Sequence, residues 1–559
     1  MRVVIVGGVA AGMSAAARAR RHDESAEIIV LERGPEVSFA NCGLPYHVSG
    51  EIDSADDLLL QTPSSLRAAL NLDVRTGHEA VAIDAAAKTV TVVSDGGVED
   101  LRYDALVLAP GASALRPPLP GLDSPRVRTL RTVGDAVALR RAVDGGARRA
   151  VVLGGGFIGL EAAEALRLRG LDVHVVELAG HVLPPLEREL ATLVTAELGD
   201  LGIHVHAGVA ATGVHEGVDA ATVELADGAR IDADVIILSV GVRAVARCAA
   251  DAGIATRDGA ILVDDHGRTS VPGIWAAGDA TLAVDAVTGL ERPIPLAGPA
   301  NRAGRLVADD IFGLAHARAV PTGLGTAIVR VGELTAAMTG ANRATLERAG
   351  IPFRTLHLHP NQHAGYFPGA SAIHLVVHIA DDGRILGAQG VGRDGVDKRI
   401  DVFATAMRAG LTAPDLIDLD LAYSPPYGQA KDAVNLTGMV AENVLSGRLK
   451  LWYADEAEDG ADVLVLDVRR PDEYASGHLP GSLNVPHTEL RERLDEVRAA
   501  AAGRPVRALC AAGVRSNIAY RILVNNGFDA TSLSGGIQTL RAWYGAQADD
   551  LLITEGAVR

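Results

Sequence analysis

Cysteine is scarce: the 559 residues hold three, at positions 42, 248 and 510. Three widely spaced thiols cannot build a disulfide framework, so each is read as free and a reducing, cytoplasmic setting is the expectation. Aromatic residues make up 3% of the chain while glycine reaches 62 residues, a balance that suits α/β units with tight turns better than β-sandwiches. No apolar run approaches the roughly 18 residues of a membrane span, and no apolar leader with a cleavage site is present, so no membrane partner is expected. Basic residues are outnumbered, 52 against 70, for a net charge of −18, which argues against nucleic acid as a partner. Metal-ligand spacing is missing too. His357, His359 and His363 have no cysteine or carboxylate set to complete a site, so they are read as structural and no metal is expected.

What is present is a chain long enough for several domains, since single cores stop growing at roughly 250 to 300 residues. Val3 to Gly12 reads as a buried strand entering a glycine turn, followed by an alanine-rich helix to about Arg21. Glu32 falls about 20 residues later, where an acid can bond a dinucleotide ribose. Gly7, Gly8 and Gly12 shape this first turn, but Val9 stands where GxGxxG has its second glycine, followed by Ala10 and Ala11. A second copy fits completely, with Gly154, Gly156 and Gly159 after an apolar strand, a helix from Leu160 to Arg169, and a strand from Val173 to Glu177. Bare backbone N–H groups at such a helix N-terminus can receive a pyrophosphate. Glu177 has no arginine immediately beside it, which favours NADH over NADPH. Two dinucleotide turns imply hydride passing between two cofactors.

Cys42 sits in Ser38-Phe39-Ala40-Asn41-Cys42-Gly43-Leu44-Pro45-Tyr46, directly after the first unit. A second thiol would fall on Pro45 at CxxC spacing or on His47 at CxxxxC spacing. Cys42 therefore works with a borrowed thiol, works alone as a sulfenic acid, or is structural.

Two further stretches, Tyr103 to Ala112 and Gly273 to Ala280, complete four ordered motifs. With them the first 440 or so residues resemble the two-dinucleotide-binding flavoproteins, the pyridine nucleotide-disulfide oxidoreductases. The resemblance implies FAD at the first turn, NADH at the second, and Asp279 on the flavin ribityl chain. It implies an FAD domain over 1–115 and 245–324, an inserted NAD domain over 116–244, and an α+β dimerisation domain over 325–440. It also assigns Arg33, Ala109, Gly111, Ile158, Glu161, Gly241, Gly278 and Ala297 to cofactor binding. The stretch around Cys42 is similar to that of the single-cysteine branch, which includes coenzyme A-disulfide reductases, persulfide reductases, and NADH oxidases and peroxidases. In the CoA branch the cysteine forms a mixed disulfide with CoA, which supplies the missing thiol. Ala10 takes the place of the histidine that peroxidases carry, which argues against peroxide chemistry. The branch implies CoA phosphates on Arg18, Arg20 and Arg21, and a CoA channel along Ser38, Asn41, Gln61 and Asn301. Phe157 replaces a flavin-shielding tyrosine. Tyr366 and Tyr423 match tyrosines that reach the CoA sulfur in a homodimer, and Tyr427 reads as an interface aromatic; a phenol there can protonate a leaving thiolate.

After Gly447, Glu456 to Gly460 reads as an acidic linker, assigned to 441–460, and a fresh α/β pattern begins at Val463. Asp467-Val468-Arg469, Glu473-Tyr474 and Gly477 to Ser482 resemble the rhodanese homology domain, placed at 461–559. Cys510 to Ser516 is its chemical loop: backbone N–H groups and a helix dipole around the sulfur stabilise a thiolate or persulfide anion. Six residues from Cys510 to Arg515 resemble sulfurtransferases, and Ala511 replaces a basic residue of thiosulfate-using members. Cys248 has no such surroundings and reads as core.

Together these expectations describe an FAD-dependent reductase that uses NADH and acts on CoA disulfide, CoA persulfide or polysulfide through Cys42. A fused sulfurtransferase at Cys510 then handles sulfane sulfur. The competing expectations are an NADH oxidase and a redox-sensing interaction protein.

Overall fold

The computed structural model describes residues 1–458 and 462–554. They divide into two compact units, one of residues 1–180 and 201–325, the other of 181–200 and the described residues from Thr326 onward.

The first unit holds two five-stranded parallel sheets. One runs in the order Ile274–Ala276, Ala105–Leu108, Arg2–Val6, Glu27–Glu32, Asp73–Thr76. Val3, Val4 and Ile5 are fully buried, as strands covered on both faces must be, and so they read as a continuous apolar run. The crossover helix Ala10–His22 buries Ala11, Ala15, Ala16 and Ala19. Its short side chains admit the helix Ala297–Ile311 so closely that a Cβ on Gly304 would stand 2.0 Å from the Ala11 carbonyl oxygen.

The second parallel sheet runs Ile203–Ala207, Asp172–Glu177, Arg149–Leu153, Val235–Leu238, Val127–Arg128. The short strands Ala112–Ala114 and Val242–Ala244 pair antiparallel. The chain therefore leaves and re-enters the first lobe side by side, as an insertion requires.

In the second unit an antiparallel sheet runs Ala327–Val331, Leu334–Gly340, Ile385–Gly392, Ile373–Ile379, Arg354–Leu358. The helix Arg188–Asp200, expected within the inserted NAD domain, groups with this sheet instead. The reason is polar as well as apolar. The Glu187 N–H donates to Gln389 Oε1 at 2.6 Å, Glu187 meets His378 at 2.9 Å, and Leu190 and Val194 are buried.

The C-terminal parallel sheet runs Leu451–Trp452, Ala530–Leu533, Val506–Leu509, Leu464–Asp467, Leu483–Asn484. A linker over 441–460 does not describe this region. The helix Ala433–Leu445 occupies its first residues, and Leu451–Trp452 is already a strand of the C-terminal sheet. Trp452 explains the early start: it is buried and its Nε1–H donates to the Ala508 carbonyl at 3.2 Å. Glu456, read as linker acid, caps the Tyr453 N–H at 2.9 Å and pairs with Arg507 at 2.9 Å. Residues 459–461, and with them part of the expected acidic run, lie outside the described residues.

The three histidines have packing partners. His357 bonds Ser534 Oγ at 2.7 Å and Glu189 Oε1 at 2.8 Å, and His359 bonds His374 and Thr539, each at 2.8 Å. His363 contacts the Ala364 carbonyl at 3.1 Å. Among the described residues no helix is long and apolar enough to cross a membrane.

Candidate active sites

The two glycine turns are built alike. Gly7 has φ 104° and Gly154 φ 102°, and a Cβ at either would stand 2.0 Å from the Ala109 carbonyl oxygen or 2.6 Å from that of Ser239. Gly12 and Gly159 each leave only 1.9 Å between an added Cβ and a carbonyl oxygen of their own turn, that of Gly7 or Gly154. Glu32 and Glu177 close the turns from the ends of their strands. Glu32 Oε2 accepts from the Gly8 N–H at 2.8 Å, and Glu177 Oε2 from the Gly155 N–H at 2.6 Å.

The helices entering from these turns, Ala10–His22 and Phe157–Leu168, have no side-chain cap and no acid in their first turn. Pro63–Leu70 and Val133–Asp144, in the same unit, carry capping boxes. Uncapped, acid-free helix N-termini beside bare backbone fit the pyrophosphates of two dinucleotides. Ala297 likewise opens a helix without a side-chain cap.

Asp279 lies on the turn Gly278–Ala280. Burial pushes its carboxyl above the usual range, and Arg131 pulls it back. Arg131 itself is lowered by burial and feels Asp279, Asp135 and Arg33. Sequence reasoning missed Arg131, which stands in no motif and reaches Asp279 only through the fold. Gly111 and Gly241 hold φ 71° and 118° with open space beside them, and Ile158 is exposed next to half-buried Phe157.

Cys42 lies on the short turn Asn41–Gly43, and its surface is open to solvent. Partial desolvation raises its thiol above the usual range, and the Glu161 carboxylate adds to the rise. Glu161, in the helix of the second glycine turn, accepts from the Tyr46 hydroxyl at 3.3 Å. Pro45 and His47, where a second thiol would be, are both buried. Ser38 holds a left-handed φ of 52°, which turns the chain toward Cys42.

Of the expected CoA groups, Asn301 Oδ1 accepts from Ser14 Oγ at 2.6 Å, and exposed Gln61 accepts from Ser65 Oγ at 2.8 Å. Arg21 is exposed, while Arg18 pairs with Asp309. Arg20 is not available to a phosphate: it is 4% exposed and donates to the carbonyls of Leu70, Asp23, Glu24 and Asn71. A helix-end arginine looks solvated in sequence, but this one ties its helix to the turn that follows it and to the C-terminal end of the helix Pro63–Leu70.

In the second unit, exposed Tyr366 and Tyr423 meet hydroxyl to hydroxyl at 3.2 Å, and that bond raises the Tyr366 phenol above its usual range. Tyr427 is exposed on a turn whose N–H closes onto the Ser424 carbonyl at 2.8 Å.

Cys510 is 1% exposed at the end of its strand. Its sulfur accepts from the Gly513 N–H at 3.2 Å and lies 3.4 Å from Ser516 Oγ, which in turn meets Ser532 Oγ at 2.9 Å. The helix Val514–Asn525 begins immediately after, so its positive end faces the loop. Arg515 forms a two-pronged ion pair with Glu473, both bonds 2.7 Å. Cys248, half-buried beside the first unit's core, has its thiol pushed up to about 11 by burial and Asp251.

The sequence and the fold are similar to those of known proteins. The family described as pyridine nucleotide-disulphide oxidoreductase matches residues 1–304, its dimerisation domain 326–434, and the rhodanese-like domain 450–542. The chain belongs to the pyridine nucleotide-disulphide oxidoreductases. A coenzyme A disulfide reductase of Staphylococcus haemolyticus is 33% identical over 449 residues, 79% of this chain and all of that protein. An NADH oxidase of Methanocaldococcus jannaschii is 32% identical over 453 residues, 80% of this chain and all of that one. Among solved structures, reduced Bacillus anthracis CoADR-RHD superposes with TM-score 0.94 at 39% identity, covering 99% of both chains. A NAD-dependent persulfide reductase from A. fulgidus gives TM-score 0.90 at 37% identity, covering 96% of this chain and all of that one.

Proposed function

We propose that this protein is an NADH-dependent, FAD-containing reductase of CoA disulfide and CoA persulfide, with a sulfurtransferase at Cys510 that loads sulfane sulfur onto the thiol. The observation that carries this reading is a single exposed thiol, Cys42, whose two possible partner positions hold buried Pro45 and His47. The second thiol must then come from the substrate. The printed names of the relatives point to the same two substrates.

The Cys42 thiolate attacks the CoA-bound sulfur of CoA–S–S–CoA or CoA–S–SH. The bond formed is Cys42–S–S–CoA, and the group released is CoA thiolate or hydrosulfide. When bound, FAD and NADH supply the two electrons that return this mixed disulfide to two thiols. The first glycine turn with Glu32, Arg33, Ala109, Gly111, Gly278, Asp279 and Ala297 holds FAD. The second, with Phe157, Ile158, Glu161, Glu177 and Gly241, holds NADH. Ser38, Asn41, Gln61, Asn301, Arg18 and Arg21 hold CoA. A phenol of the Tyr366 and Tyr423 pair protonates the departing thiolate, reaching the site in a homodimer. The boundaries 1–115, 116–244, 245–324 and 325–440 serve as the working domain division, with Arg188–Asp200 set apart because it groups with the antiparallel sheet, and the setting is cytoplasmic.

At the second centre the Cys510 thiolate takes a sulfane sulfur from a donor persulfide, releasing the donor as a thiolate. The resulting Cys510–S–S⁻ anion rests on the Gly513 N–H and the helix end. A CoA thiolate then takes the outer sulfur and frees Cys510, with no net redox change.

The test is Cys42→Ser, purified with its FAD. Loss of NADH-dependent reduction of both CoA substrates is expected. A variant that keeps more than about a tenth of the parent rate contradicts the reading, because the group that forms the covalent intermediate cannot be dispensable. If its oxygen uptake instead still matches NADH loss at the parent rate, the oxidase activity named for the Methanocaldococcus relative takes its place.

A further inference from the structure

Three histidines and an aspartate meet on two neighbouring strands of the second parallel sheet, away from either glycine turn. The strand Asp172–Glu177 pairs in parallel with the edge strand Ile203–Ala207, with His174 opposite His204. Because side chains alternate along a strand, Asp172 and His174 share a face with His204 and His206, while buried Val173, Val175 and Ile203 take the other. His174 Nε2 lies 3.8 Å and His204 Nε2 3.4 Å from oxygens of the Asp172 carboxylate. One ligand atom from each of the three residues falls within 4.8 Å of the others. A tetrahedral zinc with bonds of about 2.0 to 2.1 Å holds its ligand atoms about 3.4 Å apart, so small rotations close this set around an ion.

We propose that Asp172, His174 and His204 form a binding site for a zinc-class divalent transition metal, with His206 positioning His174. Imidazole nitrogen and carboxylate oxygen are the donors that such ions take. His174 Nδ1 lies 3.0 Å from His206 Nε2. When that Nδ1 carries the proton and donates it to His206, the Nε2 lone pair is left facing Asp172, which is how a neighbouring acceptor fixes the tautomer of a metal-binding histidine.

The competing cation in this region is Arg149, which lies in register with Asp172 on the adjacent strand. It turns to Asp234 at 2.7 Å and Asp232 at 3.6 Å, leaving the Asp172 carboxylate to the histidines. Asp172 and His204 are both more than half exposed, so an ion can enter from solvent. Bound there, it ties the unprotected edge strand to its neighbour. Along the strand Asp172 stands about 17 Å and His174 about 10 Å from Glu177 at the usual rise per residue, so the site is separate from the nucleotide turn.

Isothermal titration of the chelator-stripped, FAD-loaded protein with Zn²⁺ tests this directly. The Cys42→Ser background removes the exposed thiol, a competing zinc donor. One ion per chain is expected in that background. His174→Gln with His204→Gln should weaken it at least a hundredfold. Asp172→Asn, a conservative surface change, gives the same direction without endangering the fold, and His206→Gln should weaken binding about tenfold. Zinc binding that is absent, or that keeps its stoichiometry and affinity in the Asp172→Asn and double-histidine variants, overturns the proposal.

Discussion

Arg515 holds Glu473 through two hydrogen bonds of 2.7 Å, linking the Cys510 loop to the helix Pro471–Ala475. The pair fixes the guanidinium beside the sulfur, where the thiolate favours its charged form. Glu473→Gln keeps the shape and removes the charge. The C-terminal module should lose about 1 kcal/mol, the scale of a partly exposed ion pair. Sulfur transfer should fall severalfold, with NADH-driven reduction of CoA disulfide unchanged. Thermal unfolding and the two assays on one preparation check this.

The same pair has a pH signature. Arg515 holds the Glu473 carboxyl down at about 2, against an ordinary value of 4.5. A carboxyl depressed in the folded state stabilises fully above its unfolded value, and the contribution is lost as pH falls through the folded one. The stability difference between the parent and Glu473→Gln should therefore shrink from about pH 4.5 toward about pH 2, which acid titration of both proteins measures.

Cys42 should become a better nucleophile without Glu161. Burial and then the Glu161 carboxylate raise its thiol, so removing that charge favours the thiolate. In Glu161→Gln, iodoacetamide should alkylate the NADH-reduced enzyme severalfold faster at pH 7. An unchanged rate would show that desolvation alone sets the thiol.

Gly154→Ala separates the two dinucleotide sites. A methyl group there meets the Ser239 carbonyl oxygen at 2.6 Å on a backbone with φ 102°. The purified variant should keep FAD while its KM for NADH rises at least tenfold, the cost of distorting a turn that no L side chain fits. Flavin content and steady-state kinetics test both halves.

Much of this was legible in the sequence because its signals are local. A glycine turn between an apolar strand and a helix is a backbone requirement written in consecutive residues, and so is the Cys510 to Ser516 loop. The acids Glu32 and Glu177 were readable by distance along the chain, although the bonds they accept from Gly8 and Gly155 were not. What escaped depends on tertiary contact. Arg131 reaches Asp279 only through the fold, Arg20 looked solvated and is buried, and Arg188–Asp200 packs with strands that follow it by well over a hundred residues. The 441–460 boundary failed because polar residues there mask the apolar anchors Val444, Leu449 and Trp452, all buried. The histidine cluster was hidden for the same reason: His174 and His204 are 30 positions apart and meet only when their strands pair.

The most direct test of the coupled function is anaerobic NADH consumption by the FAD-loaded enzyme, with CoA persulfide and CoA disulfide compared at equal concentration. The expected result is much faster turnover of the persulfide with stoichiometric sulfide release, as a reductase fed by Cys510 requires. Faster turnover of CoA disulfide, with little sulfide from the persulfide, would contradict that coupling and leave the C-terminal module without its role.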